Sequence, residues 1–137
     1  MKMSKRQAVE QLIDGAIRAH ESEEHAVAIT LAGAAEDAMP DVDQKHIFTV
    51  TRDAFIGHAD PGGEPKSEKQ VVRMLNAERD WLKHNNRNQP DEMDLGGSIT
   101  WILRAISKFQ AMYGRDAETA TMQDFFALAR AFDPRDG

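Results

Sequence analysis

Apolar side chains recur along most of this chain at spacings of three and four, the mark of helical faces turned toward a core. Ala8, Leu12, Ile13, Ala16 and Ile17 form one such stripe, and Phe125, Phe126, Leu128, Ala129 and Phe132 form another. Polar punctuation sets the ends. Ser4-Lys5-Arg6-Gln7 and Ser67-Glu68-Lys69-Gln70 read as capping boxes, in which a hydroxyl and a side chain three residues on satisfy free N–H groups of a first turn. Ser22 followed by Glu23 and Glu24 reads as a further helix start, with acids against the positive end of the dipole. Pro40-Asp41 closes that helix, Asp94 or Ser98 opens a later one capped by Gly114, and Thr119 or Thr121 opens the last, closed by Asp133-Pro134. The pattern predicts helices near 4–20, 22–39, 42–57, 67–85, 95–113 and 120–132. The third, with the β-branched run His46 to Thr51, is helical or partly extended. No other segment alternates cleanly, so a sheet is not expected.

Two of these helices carry more than a single stripe. Between 95 and 113, Ile99, Ile102, Leu103, Ile106, Phe109 and Tyr113 share a face that Trp101, Ala105 and Met112 widen past half the circumference. A face that wide touches neighbours on two sides, which makes this the central helix. The segment 22–39 is instead lined with Ala28, Ala32, Ala34, Ala35 and Ala38, with Gly33 among them, so another backbone can approach it closely. Its short link to the first helix implies an antiparallel hairpin. The expected architecture is all-α: a single helical-bundle domain over 1–137, up-and-down, with peripheral helices.

Composition narrows the class. With 137 residues, 41% apolar and 29% charged, the chain can bury a core and reads as globular rather than disordered. It has no cysteine, which excludes disulfides, thiolate metal sites and a cysteine nucleophile. A net charge of -6 speaks against a protein that coats nucleic acid, although it leaves room for a local basic site. No apolar run is long enough to span a bilayer, and the basic start runs straight into an amphipathic pattern, so a cytoplasmic protein without membrane contact is expected.

Candidate chemistry gathers late in the fourth segment, at Leu75-Asn76-Ala77-Glu78-Arg79-Asp80-Trp81-Leu82-Lys83-His84. A guanidinium binds phosphate, an imidazole moves protons, and Asp80 lies one helical turn before His84, where its carboxylate can fix the imidazole tautomer. Five positions place Arg79 and His84 about 140° apart on an ideal helix. They can meet at one phosphate only if the helix ends or distorts near His84, or if a second subunit completes the site. The polar run Asn85 to Pro90 is consistent with an end there.

This Arg-Asp-x-x-x-His arrangement resembles the signature of HEPN domains, an arginine followed by Asn, Asp or His and then a histidine four to six positions on. The blocks Leu31 to Glu36 and Leu75 to His84 also resemble a group of small bacterial helical proteins. The HEPN resemblance implies an α-helical bundle, a homodimer, and a metal-independent endoribonuclease of a toxin–antitoxin or defence system, with RNA as substrate and an antitoxin-like protein as partner. By matching position, His84 would exchange the proton as a ribose 2′-hydroxyl attacks phosphorus, leaving a 2′,3′-cyclic phosphate. Arg79 would hold the phosphate and its developing charge, and Asp80 would orient one of the two. No cofactor or metal is implied.

A reading from a different class stands beside it: a non-catalytic helical dimerisation or interaction module, in which Arg79 is taken up by ion pairs and His84 caps a helix end. Glu78 falls inside an apolar stripe and therefore needs a partner, with Arg104, Arg52 or a backbone donor as candidates. Glu36 is a second candidate for an inward carboxylate. His20-Glu21-Ser22-Glu23-Glu24-His25 has its histidines five apart rather than the four of a zinc-protease helix, and reads as a solvated turn. Gly62-Gly63 lacks the Lys-Ser/Thr of a phosphate loop.

Overall fold

Ser4 opens the first helix, as its pattern predicts. Its hydroxyl accepts from the Gln7 N–H at 3.0 Å while Gln7 Oε1 accepts from the Ser4 N–H at 3.0 Å. The computed structural model describes residues 1–40, 47–56, 63, 65–84 and 88–131. Among them the chain is all-helical: α1 (Lys5–Glu21), α2 (His25–Ala38), α3 (Ile47–Phe55), α4 (Glu68–Leu75), α5 (Ala77–Lys83), α6 (Ser98–Tyr113), a 3₁₀ turn (Arg115–Ala117) and α7 (Ala120–Ala131). The second capping box, at Ser67 and Gln70, opens α4 in the same way. Thr119 caps α7, its hydroxyl accepting from Met122 N at 3.1 Å and donating to Asp14 on α1 at 2.7 Å. Residues 42–46 and 57, and the expected stop at Asp133-Pro134, lie outside the described residues.

α1 and α2 pack as the expected hairpin, and α6 lies against α1, α2, α3 and α7. The core that results runs from Val9, Ile13 and Ile17 through Ile29, Ala32 and Ala35 to Trp101, Ile102, Ile106 and Phe109, with Met122 and Phe125 closing it from α7. The central helix of the sequence is therefore the central helix of the fold. Each fully buried branched or aromatic side chain here contributes about 1.5–3 kcal/mol of apolar transfer. No helix among the described residues is long and apolar enough to cross a membrane.

Two expectations change, and one open alternative closes. Ser22 does not start α2; it ends α1, because Glu23 N donates to His20 O at 3.0 Å and Glu24 N to Ala19 O at 2.8 Å. That double bond is a Schellman closure, with Glu23 in the left-handed position at φ 60°. The third segment is not extended where it is described: Ile47–Phe55 is helix, resting on α4 and α6. The segment 67–85 is two helices rather than one. Arg104, arriving from α6, takes the Leu75 carbonyl at 2.9 Å and the Asn76 side-chain oxygen at 3.0 Å, so the hydrogen-bond ladder opens beside Asn76, at the carbonyl before it, while Asn76 N still donates to Val72 O at 3.1 Å. A side chain inserted into the ladder is a standard cause of a sharp kink.

Candidate functional site

The C-terminal end of α2 is where the charged residues of the fold converge. The helix ends on two consecutive acids, Glu36 and Asp37, and carries no basic residue of its own in its last turn. Acids at that end oppose the dipole, and the last carbonyls lack partners within the helix. Three cations from other helices resolve both problems. Arg104 binds the buried Glu36 carboxylate through two bonds, Nε at 3.1 Å and Nη2 at 2.9 Å, while the rings of Trp101 and Phe48 flank its guanidinium at 4.1 and 4.2 Å. Lys108 donates to the carbonyls of Glu36 at 3.0 Å and Met39 at 2.8 Å. Arg79 pairs with Asp37. Glu36 is thus the inward carboxylate its position suggested.

Arg79 lies flat across α2 to make that pair. Gly33, one turn before Asp37, is what permits it: a Cβ there would collide with Arg79 Cδ and Nε. At Gly33 the close approach is made by this side chain and not by the backbone expected there, and α5 as a whole packs on α2. Glu78, next to Arg79, turns the other way. Its carboxylate accepts from Gly97 N at 3.0 Å and from Trp101 Nε1 at 3.2 Å, placing a negative charge on the first turn of α6. Of the partners expected for Glu78, the backbone donor is the one found; Arg104 is taken by Glu36, and Arg52 faces Asp53 and Glu68 at the surface.

His84 stands where α5 ends. It is the C-cap residue, exposed and extended at φ -113° and ψ 141°, and its N–H donates to Asp80 O at 3.1 Å. The helix does stop at this position, as a shared site with Arg79 would require. Asp80 acts through its backbone, its carbonyl also accepting from Gln89 Nε2 at 3.3 Å. Among the described residues, its carboxylate bonds neither Arg79 nor the His84 ring. The structure therefore ties Arg79 to α2 and leaves His84 at the open end of α5, with no hydrogen bond linking the two side chains.

The histidines of the α1–α2 turn are more engaged than a solvated turn would have them. His20 Nδ1 and His25 Nδ1 lie 2.7 and 3.2 Å from the hydroxyl of Ser98, which is 1% exposed at the first position of α6. Their rings meet edge to face at 6.1 Å, and His20 meets Phe125 in the same manner at 5.8 Å. The hydroxyl that gathers them is 78 residues from His20, so no local spacing could announce it. Among the described residues, no group of three or more His, Asp or Glu side chains converges as metal ligands. Comparison of the chain with family models, curated proteins and solved structures finds no match.

Proposed function

We propose that this protein is a non-catalytic helical interaction module, acting through contact with a partner protein or a second copy of itself. One observation carries the reading: Arg79 is one of three cations committed to the C-terminal end of α2, paired with Asp37 and laid over Gly33. A catalytic guanidinium needs its donors aimed at the place where charge develops. Here the donors serve the fold.

A second reading, an HEPN-like metal-independent endoribonuclease, is favoured by a different observation. The Asp37 side chain is 59% exposed, so it is a partner that a phosphate group can reach and displace from Arg79, with His84 exposed just past the end of the same short helix. Cleavage of structured and unstructured RNAs by the purified full chain, with chelator present, separates the two. The module produces no cleavage. Cleavage to cyclic-phosphate ends that His84→Ala abolishes, with the thermal midpoint unchanged, would replace the module by the enzyme.

A further inference from the structure

At the other end of α2, the α1–α2 turn, the first turn of α6 and α7 enclose an open cavity of about 420 Å³. We propose that this cavity binds a small organic cation, a primary or secondary ammonium carried on a compact apolar body. The proposal goes beyond the module reading and holds whether or not Arg79 and His84 act on RNA.

Volume sets the class of ligand first. Sites for drug-sized molecules run from roughly 300 to 1,000 Å³ and are mostly apolar with a few converging polar groups. This one has an apolar floor of Ile99, Phe125 and Leu128. Ile99 is 45% and Leu128 58% exposed, although they share stripes with the buried Ile102, Ile106 and Phe109 on α6 and the buried Phe125 on α7. Two large apolar side chains left in water on adjoining helices are a surface that a hydrocarbon or aromatic body can cover.

Charge sets the sign. The side chains of fixed charge on the lining are Glu21 and Glu23, both acidic, and no lysine or arginine joins them among the described residues. An anionic ligand would be brought against two carboxylates; an ammonium meets a charge-assisted acceptor in each.

The histidines supply direction. A hydroxyl has one hydrogen to donate and two lone pairs. When Ser98 donates to one Nδ1 and accepts from the other, the two neutral rings take opposite tautomers. One Nε2 is then a donor and the other an acceptor. Both rings line the cavity, so an ammonium finds an imidazole acceptor beside the carboxylates. The rings are also held in place in advance, by a buried hydroxyl and by Phe125, which lowers the ordering cost of binding.

The test titrates the uniformly 15N-labelled full chain with 2-phenylethylamine, phenylacetate and 2-phenylethanol, and reads amide shifts. The amine produces saturable shifts centred on His20, Glu21, Glu23, His25, Ile99 and Phe125; the acid does not. Glu21→Gln combined with Glu23→Gln, both at the surface, weakens the amine roughly fivefold or more and leaves the neutral alcohol unchanged. Equal binding of phenylacetate, an unchanged affinity in the double variant, or no saturable response to the amine overturns the proposal. A response of the same amides to zinc chloride, with none to the amine, also overturns it by assigning the imidazoles to a metal.

Discussion

Arg104 joins α2, α3 and α4 to α6 through Glu36, Phe48 and Leu75. It is 5% exposed, and placing a guanidinium and a carboxylate so far from water costs several kcal/mol per ion. That cost is offset by four hydrogen bonds, two of them to Glu36, and by the aromatic rings on either side. The geometry suits arginine and not lysine, because a planar fork is needed to reach a carboxylate, a carbonyl and an amide oxygen together. A second residue pulls against the fold. Glu23 occupies a left-handed backbone position at φ 60° that favours glycine, at a cost of roughly 1–2 kcal/mol. Glu23→Gly should therefore raise the unfolding free energy by about 1 kcal/mol in urea, while removing one of the two carboxylates from the cavity.

At the scale of helices, the break between α4 and α5 gives Arg79 and Glu78 their separate targets. With the ladder opened at Asn76, α5 can place Arg79 over α2 while Glu78 reaches the start of α6. The second contact depends on Gly97, where a Cβ would collide with Glu78 Oε1. Gly97→Ala should cost about 1–3 kcal/mol in thermal unfolding, since Glu78 must retreat from two donors and leave an N–H of the α6 start unpaired. A cost within a few tenths would show that Glu78 holds nothing together. Much at this scale was legible in the residues. The capping boxes, the breadth of the α6 face and the two inward carboxylates all follow from patterns within one turn or one helix. The break at Asn76 does not, because its cause, Arg104, arrives from 28 residues away. The histidine pair was opaque for the same reason. Ile99 and Leu128 counted as core by their angle, and only the packing of α7 leaves them at an opening.

Across the whole molecule, the two ends of α2 carry different work. One end is a charge cluster that fastens α5 and α6 to the hairpin; the other is an opening with acids at its edge and hydrocarbon beneath. The three cations Arg79, Arg104 and Lys108 serve that cluster, while Lys5, Arg6, Arg18, Lys69, Arg73, Lys83 and Arg115 stand exposed on a chain of net charge -6. The candidate Arg79 and His84 could be located from sequence as an arginine and a histidine at a helix end. What could not be located was Asp37, since an ion pair across 42 residues has no local signature. The most direct measurement of Arg79's role is therefore the stability of Arg79→Met, alone and with Asp37→Asn, by urea unfolding of the full chain. A structural clamp predicts a loss of about 1 kcal/mol for the arginine substitution, much of it shared with Asp37 in the double variant. Stability unchanged or raised when the arginine is removed, with no coupling to Asp37, would contradict the account.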